Sequence, residues 1–140
     1  MKPLSKPAGA GIILLNKRNE ILLILRDDNP AIRYPNQWDL PGGHVEPGEN
    51  PEETIRREMK EELELDLGAI TLFSEYHHDD FDEYVFIKRI ELDPSTLPLH
   101  EGQKCEYFDE PRIRSTPLAY SYNKVLADFF SRIDSTKTLR

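Results

Sequence analysis

Short apolar runs alternate with polar breaks along the first third of the chain. Gly9 to Leu15 and Glu20 to Arg26 are rich in Ile and Leu, and Asn16-Lys-Arg-Asn19 between them is a polar turn of hairpin length. The pattern predicts two paired strands. Asp27 to Gln37 holds Pro30 and Pro35 without periodicity and reads as a loop, and Trp38-Asp-Leu40 returns briefly to strand-like sequence before Pro41-Gly42-Gly43. Asn50 supplies a side-chain cap, Pro51 suits the first helical position and Glu53 completes a capping box, so a helix runs from Asn50 to about Leu63. Ile55, Met59 and Leu63 at four-residue steps form its apolar stripe.

Extended runs follow at Ala69 to Tyr76, Tyr84 to Leu92 and Lys104 to Phe108, with a Pro-punctuated loop from Asp93 to Leu99. Beyond Pro111 and Pro117, the span Ala119 to Ile133 sets Tyr122, Val125, Leu126, Phe129, Phe130 and Ile133 at helical spacing, as a packing element requires. Strands interspersed with two helices predict a sheet covered on both faces, an α/β sandwich. With 140 residues, the expectation is one domain over residues 1–140.

Composition narrows the function classes. The lone Cys105 cannot close an internal disulfide, and no Cys/His cluster has zinc spacing, which fits a reducing, cytoplasmic setting. Lys2 and Lys6 before Ala8 to Leu15 suggest a leader, but that stretch is short, holds two glycines and runs straight into Asn16-Lys-Arg18, so a first strand is expected. No segment approaches the length of a membrane span. A formal charge of -8 argues against binding a nucleic-acid polymer through its backbone.

The distribution of the charge says more. Glu46, Glu49, Glu52, Glu53, Glu58, Glu61, Glu62, Glu64 and Asp66 crowd one stretch, against Arg56, Arg57 and Lys60. Helical spacing sets Glu58, Glu61 and Glu62 on one face beside the apolar stripe, although like charges so placed oppose the helix by about 0.2–0.5 kcal/mol per pair. A solvated acidic face is the plain reading of such a helix. A bound divalent cation explains the crowding better, and oxygen ligands favour magnesium or manganese. Gly42 and Gly43 allow close backbone approach, and a glycine carbonyl can add a neutral ligand. Glu49 and Arg57 are placed to pair across the loop-to-helix turn, and Arg57 can also support Glu61.

Gly43, five residues, Glu49, seven residues, then Arg57-Glu58-Met59-Lys60-Glu61-Glu62 resembles the box of the Nudix hydrolase family, the MutT-like pyrophosphohydrolases. Trp38-Asp-Leu-Pro-Gly-Gly43 and His44-Val-Glu-Pro-Gly48 resemble the family's lead-in. The family box ends in a glycine and an aliphatic residue; Leu65 matches, and Glu64 stands where the glycine belongs. A side chain there costs about 1 kcal/mol of backbone strain or lets the helix run on. The box covers under a fifth of the chain.

The resemblance implies an α/β/α sandwich, its mixed sheet lying between the box helix and the C-terminal helix. It further implies hydrolysis of a phosphoanhydride, with Glu58, Glu61 and Glu62 and the Gly43 carbonyl holding Mg2+ or Mn2+. Glu61, Arg57 and a later-loop carboxylate, Glu101, are the catalytic candidates, with a charged turn as the plain reading of Glu101. The substrate expected is a small nucleotide, most simply a nucleoside triphosphate, with a nucleotide sugar or ADP-ribose as the alternative. A non-catalytic nucleotide-sensing module is the alternative of another class, and it predicts erosion of the three box acids, which are intact.

Outside the box the candidates are weaker. Arg26 and Arg33 can contact phosphates or be merely solvated. Phe81, Tyr84 and Phe86 can stack on a base or belong to the core, and Asn123 can pair with a purine edge. His77-His78-Asp79-Asp80 points alternate ways along a strand and reads as a charged hairpin better than as a chelate.

Overall fold

A computed structural model describes residues 6–138, with side chains described through residue 133; Lys2 lies outside the described part. The strands are β1 (Ala8–Leu15), β2 (Ile21–Leu25), β3 (Trp38–Asp39), β4 (Gly42–His44), β5 (Thr71–His77), β6 (Asp82–Arg89) and β7 (Lys104–Phe108). The helices are α1 (Pro51–Leu63), α2 (Glu110–Arg114) and α3 (Tyr122–Thr138).

The strands form one seven-stranded sheet with the path β3-β2-β1-β6-β5, while β4 also pairs with β1 and β7 with β2. β1 and β6 pair in parallel, from Ala8 opposite Asp82 to Leu15 opposite Arg89, and the other described strand pairs are antiparallel, so the sheet is mixed. Burial on both faces explains the unbroken apolar sequence of β1. Ala10, Ile12 and Leu14 pack with Ile55, Met59 and Leu63 of α1, and Ile13 and Leu15 pack with Val125, Leu126, Phe129 and Phe130 of α3. The expected sandwich, with the sheet between these two helices, is the fold found.

The start of α1 follows from its sequence. Asn50 Oδ1 accepts from the Glu53 amide at 2.8 Å, and Glu53 Oε1 accepts from the Asn50 amide at 2.9 Å, which satisfies two amides that the helix itself leaves unpaired. The helix ends at Leu63 because Glu64 turns left-handed, φ 52° and ψ 40°, and the Leu65 amide closes back on the Met59 carbonyl at 3.1 Å. The helix does not run on.

Two elements went unread in the sequence. The Gly42–His44 strand is only three residues long and pairs Gly43 with Ala10, which locks the loop before α1 to the centre of the sheet. The five-residue helix α2 is capped by Asp109, whose side chain accepts from the Arg112 amide. No described helix is long and apolar enough to cross a membrane.

Candidate active site

The cleft at the junction of β1, β4 and α1 has a volume of about 310 Å³. Part of its lining is acidic. Carboxylate oxygens of Glu58, Glu62 and Glu101 lie within 4.8 Å of one another, a group able to hold a metal ion. Glu62 is buried, and burial, followed by the neighbouring Glu58 and Glu101 carboxyls, pushes its pKa far up. Three adjacent carboxyls cannot all ionise without compensation, and a divalent cation supplies it. The residues therefore fit a hard, oxygen-seeking metal.

Gly43 sits against this group: a Cβ there would fall onto Glu58 Oε1 and stand 2.5 Å from Glu58 Cδ. Absence of a side chain thus makes room for the Glu58 carboxylate. Arg57 ties the surrounding loop together. Its Nε donates to Glu49 Oε2 at 2.6 Å, one terminal nitrogen donates to Glu58 Oε1 at 2.9 Å, and the other reaches the His44 carbonyl at 3.3 Å. The hydrogen bond from Arg57 holds Glu49 down at a pKa of about 2, and Thr54 Oγ1 donates to the same carboxylate at 2.8 Å. Arg57 thereby orients Glu58 from a position braced on the loop.

The structure does not bring Glu61 into the close group. It stands at the rim, 60% exposed, with Oε2 3.3 Å from an Arg57 nitrogen. A helix advances its facing direction by about 100° per residue, so Glu58 and Glu62, four apart, align more closely than either does with Glu61.

The cleft also holds groups that no sequence motif marks. Asp39 and Glu83 are buried acids, and Tyr120 and Tyr122 line the wall with Phe81. Burial pushes Asp39 up to about 6, opposed by the guanidinium of Arg26, which donates to Oδ2 at 3.0 Å. Asp39 Oδ1 is buried without a hydrogen-bond partner. Burial likewise pushes Glu83 up to about 7, although the Tyr122 hydroxyl, itself raised by burial, donates to Glu83 Oε1. Gly9 and Gly11 clear the space: a Cβ would stand 2.8 Å from Glu83 Oε2 at the first and 2.8 Å from the Tyr122 hydroxyl at the second. An acid on the inward face of an apolar strand, as Glu83 is in β6, was the available signal.

The other candidates separate. Arg26 and Phe81 line the cleft. Arg33 does not; its carbonyl accepts from Arg26 Nε at 2.8 Å, so it contributes backbone to hold Arg26. Asn123 is spent elsewhere, accepting from the Leu118 amide at 2.8 Å and donating to the Thr116 carbonyl at 2.8 Å, so its amide fastens the chain before α3 and is not free for a base. Tyr84 and Phe86 pack on the α1 side of the sheet. His77 Nδ1 bonds Asp82 Oδ1 at 2.8 Å beside Lys6, which makes the β5–β6 turn a charged hairpin.

This sandwich, with a carboxylate-lined cleft at the start of a capped helix, defines a class. The model of the NUDIX domain matches residues 5–129, and the chain belongs to that family. An ADP-ribose pyrophosphatase of Methanocaldococcus jannaschii is 33% identical over 130 residues, covering 88% of this chain and 73% of that protein. A nucleoside triphosphatase NudI of Salmonella agona is 47% identical over 60 residues, covering 41% of this chain and 42% of that one. Other curated relatives are matched over 46% and 55% of their own lengths. The crystal structure of a MutT protein from Methanosarcina mazei Go1 superposes with a TM-score of 0.69 at 26% identity, covering 96% of this chain and 98% of that one.

Proposed function

We propose that the protein is a magnesium-dependent pyrophosphohydrolase that cleaves a nucleoside triphosphate to the monophosphate and pyrophosphate. The observation that carries this reading is what one cleft brings together: a cation-fitting carboxylate group, two further buried acids and aromatic walls.

Glu58 and Glu62, with the Gly43 carbonyl, would hold the cation, Glu101 stands beside them, and Glu61 extends the acidic rim toward solvent. Magnesium, when bound, neutralises phosphate oxygens and favours ionisation of water. Water oxygen bonds to phosphorus, the anhydride P–O bond between the α and β phosphates breaks, and the proton passes to a carboxylate, which we assign to Glu101. Arg57 keeps Glu58 from swinging away. Manganese satisfies the same oxygen ligands.

The buried acids and aromatic walls select the organic part. Buried carboxyls at Asp39 and Glu83 disfavour phosphate and suit an uncharged ring that presents N–H groups, with Tyr120 and Phe81 beside it. A nucleobase has this chemistry. The relative named nucleoside triphosphatase NudI supports a triphosphate.

The Methanocaldococcus jannaschii relative, aligned over 88% of this chain, favours a second reading, cleavage of ADP-ribose. Identification of products separates the two. Pyrophosphate with a nucleoside monophosphate, from a panel of triphosphates and ADP-ribose in magnesium, is the expected result. AMP with ribose 5-phosphate as the fastest products establishes the second reading, and binding without turnover of any panel member removes the enzymatic one.

A further inference from the structure

The Glu101 carboxylate belongs to the acidic group, but its loop is exposed, and the end of α1 reaches out to it. Glu64 adopts the left-handed conformation that a side chain disfavours, at the position where the family box has glycine. Its side chain is engaged there. Glu64 Oε2 accepts from His100 Nε2 at 2.6 Å, and the His100 amide donates to the Glu62 carbonyl at 2.9 Å. The residue before Glu101 is therefore bound twice to the last turn of α1, once to a residue of the acidic group itself.

The residue after it is fixed as well. Gly102, at φ +90°, lies so close to β2 that a Cβ would stand 2.6 Å from Ile24 Cγ2, and the Gln103 amide donates to the Leu25 carbonyl at 2.8 Å. Glu101 hangs between two anchors, one on the sheet and one on α1. The Glu64–His100 pair of side chains reinforces the α1 anchor, as Gln103 Nε2, donating to Asn36 Oδ1 at 2.9 Å, reinforces the other.

We propose that Glu64 and His100 form a clasp that positions Glu101 over the cation site, the function of a side chain where the family has glycine. This inference rests on the reading that Glu101 works with Glu58 and Glu62. The pair is exposed, 57% at His100 and 59% at Glu64, so it contributes little to folding; its effect is on where the loop sits. A small displacement of a catalytic group lowers turnover far more than it lowers stability.

The test compares Glu64→Gly, Glu64→Gln, His100→Ala, the Glu64→Gly/His100→Ala double variant and Glu101→Gln by kcat, KM, magnesium half-saturation and thermal unfolding. Glu64→Gly and His100→Ala are expected to lower kcat about three- to tenfold and to raise the magnesium requirement, with KM within about twofold. The double variant falls no further than either single change, because one interaction is lost. Glu64→Gln keeps most activity, since its amide oxygen still accepts from His100. Glu64→Gly unfolds at a higher temperature, because the strain is relieved. That gain in stability with unchanged kinetics overturns the clasp. Full activity in Glu101→Gln overturns instead the role of Glu101, whereas a loss there beside unchanged clasp variants refutes the clasp alone.

Discussion

Replacing Gly43 with alanine separates catalysis from folding at a single methyl group. The backbone of Gly43 lies outside the left-handed region, and it pairs with Ala10 in the sheet, so alanine adopts its conformation. The new Cβ meets the end of one flexible side chain: it falls onto Glu58 Oε1 and stands 2.5 Å from Cδ and 3.0 Å from Cγ. Carbon atoms in contact keep about 3.5 Å or more, so the carboxylate must retreat by about 1 Å. Arg57, braced on Glu49 and the His44 carbonyl, resists that retreat.

A 1 Å misplacement of a catalytic group costs about 10²-fold in rate, and we expect that loss in kcat for Gly43→Ala. Stability should change by less than about 1 kcal/mol, since the entropy lost by the unfolded chain offsets a surface rearrangement. Gly42→Ala is the control. There φ is +152°, and the Cβ falls on the Ala10 carbonyl and 2.9 Å from Gly11 Cα, which are backbone atoms of the central strand. It should destabilise by roughly 2–4 kcal/mol. Urea unfolding and steady-state hydrolysis read both effects. Turnover within twofold of the wild type in Gly43→Ala refutes the placement of Glu58 beside Gly43.

Two further outcomes follow from the buried and paired acids. Glu49 falls from an ordinary 4.5 to about 2, so its stabilisation is fully present above about pH 4.5 and is lost as pH falls toward 2. The full shift corresponds to about 3 kcal/mol, and solvent screening brings the expectation to about 1–2 kcal/mol. Glu49→Gln should therefore be less stable at pH 7 and lose less on acidification to pH 3; equal acid losses contradict the pairing. Glu83→Gln keeps an acceptor for Tyr122 but removes this acid from the cleft, and is expected to alter KM among triphosphates of different bases by about tenfold with little change in kcat. Identical KM ratios in the two proteins contradict a base-facing role.

Much of the fold could be read from periodicity because it is set by local rules. The capping box at Asn50, the four-residue stripe of α1 and the doubly buried β1 each leave a signature within ten or so residues. β4 left none, since a three-residue strand of Gly-Gly-His is defined by its partner Ala8–Leu15 and not by its own composition. The residues that line the cleft differ in the same way. Glu58 and Glu62 sit on one element at helical spacing, whereas Asp39, Glu83 and Tyr122 come from three elements and meet only when the sheet closes. Asn123 shows the reverse: a plausible base-pairing amide by type and position, it is consumed by the turn before its own helix.

In the proposed mechanism Glu62, buried beside Glu58 and Glu101, holds a divalent cation that the reaction needs. Hydrolysis of the best substrate, titrated with magnesium in the wild type and in Glu62→Gln, tests it most directly. Activity is expected to be abolished by chelation and restored by magnesium in the wild type, and to fall by about 10²-fold or more in Glu62→Gln with a raised magnesium requirement. Wild-type turnover in Glu62→Gln, or turnover that survives complete chelation, would contradict it.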